Sequence, residues 1–136
     1  MVKRLLWIAA IIIALDQLTK IIARKFLPVV YNEGASFGIL QGKQLIFIIA
    51  SIVVIGVILF CRKHDHLAFP FILGGATGNL IDRIFLGAVT DFIHVPFFSP
   101  WFNVADIANT IGGVLLVLSW VQDYRKSHNS AIQAKE

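Results

Sequence analysis

The sequence predicts an all-α membrane protein: four transmembrane helices with both termini in the cytoplasm, forming a single domain over residues 1–136. A small extracytoplasmic polar region is expected between helices 1 and 2, and an interfacial aromatic connector between helices 3 and 4. Three observations carry this. The chain is 57% hydrophobic and 15% charged, with a mean hydropathy of +0.79, whereas soluble domains are about 45–50% apolar even with Gly counted. Four apolar runs approach the ~20 residues that cross a bilayer core. Basic residues are distributed unevenly between the two sides those runs define.

The first run covers about Leu5–Ala23. Lys3 and Arg4 precede it, as in the opening of a signal peptide. No small-residue cleavage site follows, so a retained helix is expected. Asp16, Gln17, Thr19 and Lys20 interrupt its outer half. Asp16 lies deep enough that it should face the bundle interior. Lys20, nearer the end, is expected to snorkel to the surface. After the first run comes Asn32-Glu33-Gly34-Ala35-Ser36-Phe37-Gly38, a polar turn on the outer side.

The second run, Leu45–Cys61, contains no charge. Cys61 is the single cysteine, which excludes an internal disulfide, and it reads as a small apolar residue. His64 and His66 flank Asp65 in a basic turn. None of the four histidines has zinc-ligand spacing, and no metal or other cofactor is expected.

The third run, about Leu67–Ala88, holds Gly74 and Gly78 at the spacing that lets helices pack closely. Asn79, Asp82 and Arg83 follow at i, i+3 and i+4. An Asp82–Arg83 pair is expected to hold the outer end of this helix in register. The connector His94–Phe102 is rich in Phe, Pro and Trp, which suits the membrane interface. The fourth run, about Val104–Val121, opens with Asp106 and Asn109 and is then apolar. Asn103 reads as its cap and Asp106 as the acid of a capping box.

Four spans place Lys3, Arg4, Arg62, Lys63, Arg125, Lys126 and Lys135 on one side, and Arg24, Lys25 and Lys43 on the other. The basic side faces the cytoplasm. The net charge of +4 then reflects membrane flanks and requires no nucleic-acid partner. Asp91, after the third span, and Asp106, opening the fourth, both land at the outer membrane surface. Carboxylates near hydrocarbon are costly, about 2.5–3.5 kcal/mol at a helix centre. Two of them face to face can share a proton and activate water. A small ion or proton transporter subunit is the other class that intramembrane charges permit. Against it, the polar residues crowd toward the outer side.

Four segments in order resemble the lipoprotein signal peptidases (signal peptidase II), membrane aspartic peptidases of bacteria. They are Asp16-Gln-Leu-Thr-Lys20, Asn32-Glu-Gly-Ala-Ser-Phe37, Gly74 through Asn79-Leu-Ile-Asp82-Arg83 to Asp91-Phe-Ile, and Phe102-Asn103-Val-Ala-Asp106 through Gly112. The resemblance implies a diacylglyceryl-modified prolipoprotein as substrate, cut before its lipidated cysteine, in the bacterial inner membrane among its lipids. It implies Asp91 and Asp106 as a metal-free catalytic dyad facing the extracytoplasmic side. Asp16, Lys20, Asn32, Gly34 and Gly78 match supporting or substrate-binding positions, as do Asn79, Asp82, Arg83, Asn103 and Ala105. The cyclic peptide globomycin is the inhibitor it implies. His94 and Asn109 depart from the family pattern.

Overall fold

The computed structural model describes residues 2–34, 42–60, 66–97 and 100–133. The turn residues 35–38, the basic turn 61–65 with Cys61 and His64, and Lys135 therefore lie outside the described residues. Helix α1 runs Val2–Phe26, strand β1 Val30–Asn32, α2 Gln44–Phe60, α3 Ala68–Leu86, β2 Val89–Asp91 and α4 Val104–Gln133.

Helix α3 is the centre. Helices α1, α2 and α4 each pack on it, and α1 also packs on α4. The small residues anticipated on α3 make this possible. A Cβ added at Gly74 would stand 2.8 Å from Ile12 of α1, and one at Gly112 of α4 would stand 2.5 Å from Ile72. On α1 the buried positions Ala9, Ile12, Asp16, Lys20 and Ala23 recur every three or four residues and so form one face. That face begins apolar and ends charged.

The distribution of side chains is inverted relative to a soluble domain. The largest fully buried ones are Lys20, Asn103, Thr90, Asp16, Asp82, Asp91 and Pro70. Trp7, Ile11 and Ile21 of α1, Ile52 and Val53 of α2, Phe85 of α3 and Val117 and Trp120 of α4 are exposed. So large an apolar exterior suits hydrocarbon, not water. Among the described residues, Leu5–Phe26 and Val104–Ser130 are long and apolar enough to cross a membrane, and Gln44–Phe60 is a shorter apolar helix.

Two features depart from the expected architecture. First, β1 and β2 pair antiparallel, with Val30 opposite Asp91, Tyr31 opposite Thr90 and Asn32 opposite Val89. Gly87 makes this possible: it ends α3 at φ 80°, a left-handed cap that turns the chain back into β2. Second, α4 continues to Gln133, well beyond the expected apolar span. The connector between β2 and α4 is closed by an isolated bridge between Ile93 and Phe102. Phe97 at its tip is fully exposed at φ 70°. His94 stacks on Trp101 with ring centroids 5.0 Å apart.

Candidate active site

Asp106 enters through the capping box read from sequence. Its backbone N–H donates to Asn103 Oδ1 at 2.9 Å, and Asn103 N–H donates back to Asp106 Oδ2 at 3.1 Å. The other carboxylate oxygen, Oδ1, accepts from Asn79 Nδ2 of α3 at 2.8 Å. Asp91 arrives on β2. Its Oδ1 accepts from Asn103 Nδ2 at 2.6 Å and its Oδ2 from Asn32 Nδ2 of β1 at 3.1 Å. Asn103, fully buried, therefore bonds both aspartates at once. Pairing β1 with β2 is what brings Asn32 to Asp91 across 59 residues of sequence.

Behind the aspartates lies a second polar layer. Lys20 Nζ sits 2.8 Å from Asp16 Oδ2 and 3.3 Å from Asp82 Oδ2, all three side chains fully or almost fully buried. It also donates to Asn79 Oδ1 at 3.0 Å, which Asn103 Nδ2 reaches at 3.1 Å. Two donors on Asn79 Oδ1 orient that amide so that its Nδ2 faces Asp106. Asp16 Oδ1 accepts the Ala105 N–H at 2.8 Å, satisfying a first-turn amide of α4 from α1. Gly78 leaves room for this: a Cβ there would stand 2.6 Å from Asp16 Oδ2.

These contacts correct two expectations. Lys20 does not snorkel; it is enclosed, because two buried carboxylates and an amide oxygen meet its three N–H groups. Asp82 and Arg83 do not pair, because successive helical residues point about 100° apart. Asp82 turns to Lys20, lies 4.0 Å from Arg24 and accepts the Thr90 N–H at 2.9 Å, which ties β2 to α3. Arg83 turns the other way. Its Nη2 donates to Gly34 O at 3.3 Å, its guanidinium lies 5.2 Å from the Phe47 ring centre, and its Nε is buried without a partner among the described residues.

Gln17, Arg24, Phe47 and Thr90 join the site without having been assigned to it. Gln17 Nε2 donates to Gly78 O at 3.0 Å, and Arg24 Nη1 to Thr90 Oγ1 at 3.2 Å. Arg24 was detectable in principle, since it continues the Asp16–Lys20 face at i+4. Thr90 carried no signal beyond its place beside Asp91.

Asn32, Gly34, Phe47, Asn79, Arg83, Val89, Asp91 and Asp106 line one cavity of about 160 Å³. Both aspartates thus face the same small volume. A second cavity of about 90 Å³, at the other end of the bundle between Leu5, Ile58, Phe69 and Leu73, has an apolar lining. Among the described residues, no group of three or more His, Cys, Asp or Glu side chains could hold a metal ion.

Burial pushes the Asp91 carboxyl up to about 6, and the negative charge of Asp106 adds to this, while hydrogen bonds from Asn32 and Asn103 and the charge of Lys20 oppose it. A pKa raised on folding favours the protonated native state. The contribution is complete below pH 3.8 and is lost as pH rises through about 6. The melting temperature in detergent is expected to fall across that window, and Asp91→Asn is expected to flatten the fall. An identical pH profile for the variant would show that Asp91 is not the group responsible.

The family model for signal peptidase (SPase) II matches residues 8–122. The chain is 42% identical over 145 residues to the lipoprotein signal peptidase of Halalkalibacterium halodurans, covering 88% of this chain and 93% of that protein. It is 41% identical over 143 residues to that of Brevibacillus brevis, covering 88% and 96%. Among solved structures, it is similar to a bacterial membrane enzyme determined by the in meso method at 2.3 Å. That match has a TM-score of 0.82 and 29% identity over 90% of each chain.

Proposed function

The chain belongs to the signal peptidase II family, a family of membrane peptidases, and from that premise we propose that it cleaves diacylglyceryl-modified prolipoproteins just before the lipidated cysteine. The observation that carries the reading is that Asp91 and Asp106 line one cavity and that one buried residue, Asn103, bonds both carboxylates, Asp91 through its side-chain amide and Asp106 through its backbone N–H. One carboxylate, ionised, takes a proton from water. The other, protonated, polarises the scissile carbonyl and then helps protonate the leaving amine. The two titrate as a pair that shares one proton. The raised pKa of Asp91 supports a proton on the pair under weakly acidic conditions. Arg83, in the wall of the cavity, supplies positive charge to the same space.

The proposed setting is the bacterial inner membrane, with four spans, cytoplasmic termini and the dyad at the extracytoplasmic face. The polar cavity lies at one end of the bundle, so substrate acyl chains can stay in lipid while the peptide meets the carboxylates. Globomycin is the expected inhibitor. A transporter reading gains nothing from the structure, since Lys20 and Arg24 lie against Asp16 and Asp82 and the cavity at the opposite end is apolar.

Purified protein in micelles should cleave a diacylglyceryl-modified prolipoprotein and leave the unmodified precursor intact. Absence of cleavage on the modified substrate would sink the reading. A reporter fused after Glu136 should be active in the cytoplasm, and one inserted between Phe97 and Trp101 should report the outside. The reverse pattern would put the dyad on the wrong face.

A further inference from the structure

Helix α4 carries a polar group that the dyad does not use. Thr110 returns its hydroxyl to the Asp106 carbonyl at 2.8 Å. Its neighbour Asn109 is half-buried, and among the described residues its carboxamide forms no hydrogen bond. A primary amide without a partner is unfavourable where hydrocarbon replaces water. The amide is nonetheless closely seated. Gly75 of α3 faces it, and a Cβ there would stand 2.6 Å from Asn109 Cγ. Any other residue at 75 would displace the carboxamide.

The position is directional. Asp106, Asn109 and Gly113 fall at i, i+3 and i+7, one face of α4. Asn109 stands at the edge of the face that packs on α3: Ala105, Ala108 and Gly112 are buried there, and a Cβ at Gly75 would meet both Ala105 O and Asn109 Oδ1. A Cβ at Gly113 would meet nothing within 4 Å, so this strip is open beyond Asn109. Asn109 sits about 4.5 Å further along the helix than Asp106, at 1.5 Å per residue. An extended chain advances about 3.3 Å per residue. A peptide held at the dyad and running down this strip would bring a carbonyl one or two residues from the scissile bond to Asn109.

Resting on the peptidase reading, we propose that the Asn109 carboxamide is a substrate subsite, donating a hydrogen bond to a substrate carbonyl oxygen on the inward side of the dyad. The need is physical. A peptide must be locally extended to be cut, and extension frees carbonyls that hydrocarbon cannot satisfy. The acceptor is a main-chain carbonyl of the signal segment or an ester carbonyl of the diacylglyceryl group, which share this chemistry.

The test compares wild type, Asn109→Leu and Asn109→Ala in micelles on three substrates. These are the native diacylglyceryl prolipoprotein peptide, the same peptide with the amides upstream of the scissile bond replaced one at a time by CH2–NH, and a dialkyl ether analogue lacking the ester carbonyls. Both variants should lose about tenfold in kcat/KM on the native substrate with thermal unfolding close to wild type. On one altered substrate, wild type and variants should become equal, and which one it is identifies the carbonyl. Equal losses on all three substrates, or activity within twofold of wild type on the native one, would overturn the proposal. If wild type cleaved the native substrate not at all, the peptidase reading itself would fail, and this inference with it.

Discussion

Asp91→Asn and Asp106→Asn are each expected to abolish cleavage while the fold persists. General acid–base groups contribute about 10²–10⁴ in rate, so a loss of at least about a thousandfold in kcat/KM, ~4 kcal/mol of barrier, is expected for either. Asn keeps the shape but neither takes nor gives the proton. At position 91 the amide retains one acceptor for Asn32 or Asn103 and turns its NH2 toward the other. That sacrifices about 1 kcal/mol of hydrogen bonding. Removing a buried negative charge beside Asp106 offsets it, so Asp91→Asn should unfold near the wild-type temperature. At position 106 the substitution weakens the bond from Asn79 or the reciprocal bond from Asn103 N–H, at similar cost. If either variant kept activity within about tenfold of wild type, ~1.4 kcal/mol in barrier terms, that aspartate would not be catalytic.

Lys20→Met should produce the largest loss of stability. The ammonium is fully buried against Asp16 and Asp82, and removing it strands two carboxylates. Breaking a buried pair from one side costs about 3–5 kcal/mol. For a chain of this size that lowers the melting temperature by roughly 10 °C or more. The double variant Lys20→Met with Asp82→Asn should recover part of the loss, because one stranded charge is gone. Arg83→Ala should cost less stability than Lys20→Met, since Asp82 finds its cation in Lys20 and not in the adjacent arginine. Its effect should fall on activity, and Arg83→Lys should not restore it, because the planar multi-donor fork is lost. Were Lys20→Met to unfold within ~2 °C of wild type, the buried network would not be what joins α1, α3 and β2.

What the sequence alone determined is whatever a short window contains. Helices α1, α2 and α4 were readable because hydropathy is summed over consecutive residues, and their observed bounds differ from the expected ones mainly at the ends. The Asn103–Asp106 capping box was readable for the same reason: donor and acceptor lie three residues apart. The four motifs singled out residues without saying which of them touch. Tertiary structure decided that. Strands of three residues hold no signal of their own, and β1 exists only because β2 returns to it across the top of α3. Whether Lys20 snorkels or is buried depends on Asp82, which α1–α3 packing brings to it from far along the chain. The direction of Arg83 depends on Gly34 and Phe47, contributed by β1's turn and α2. The physical reason is common to all three. The cost of burying a charge is local and visible in a sequence, but the partner that compensates it is chosen by packing in three dimensions.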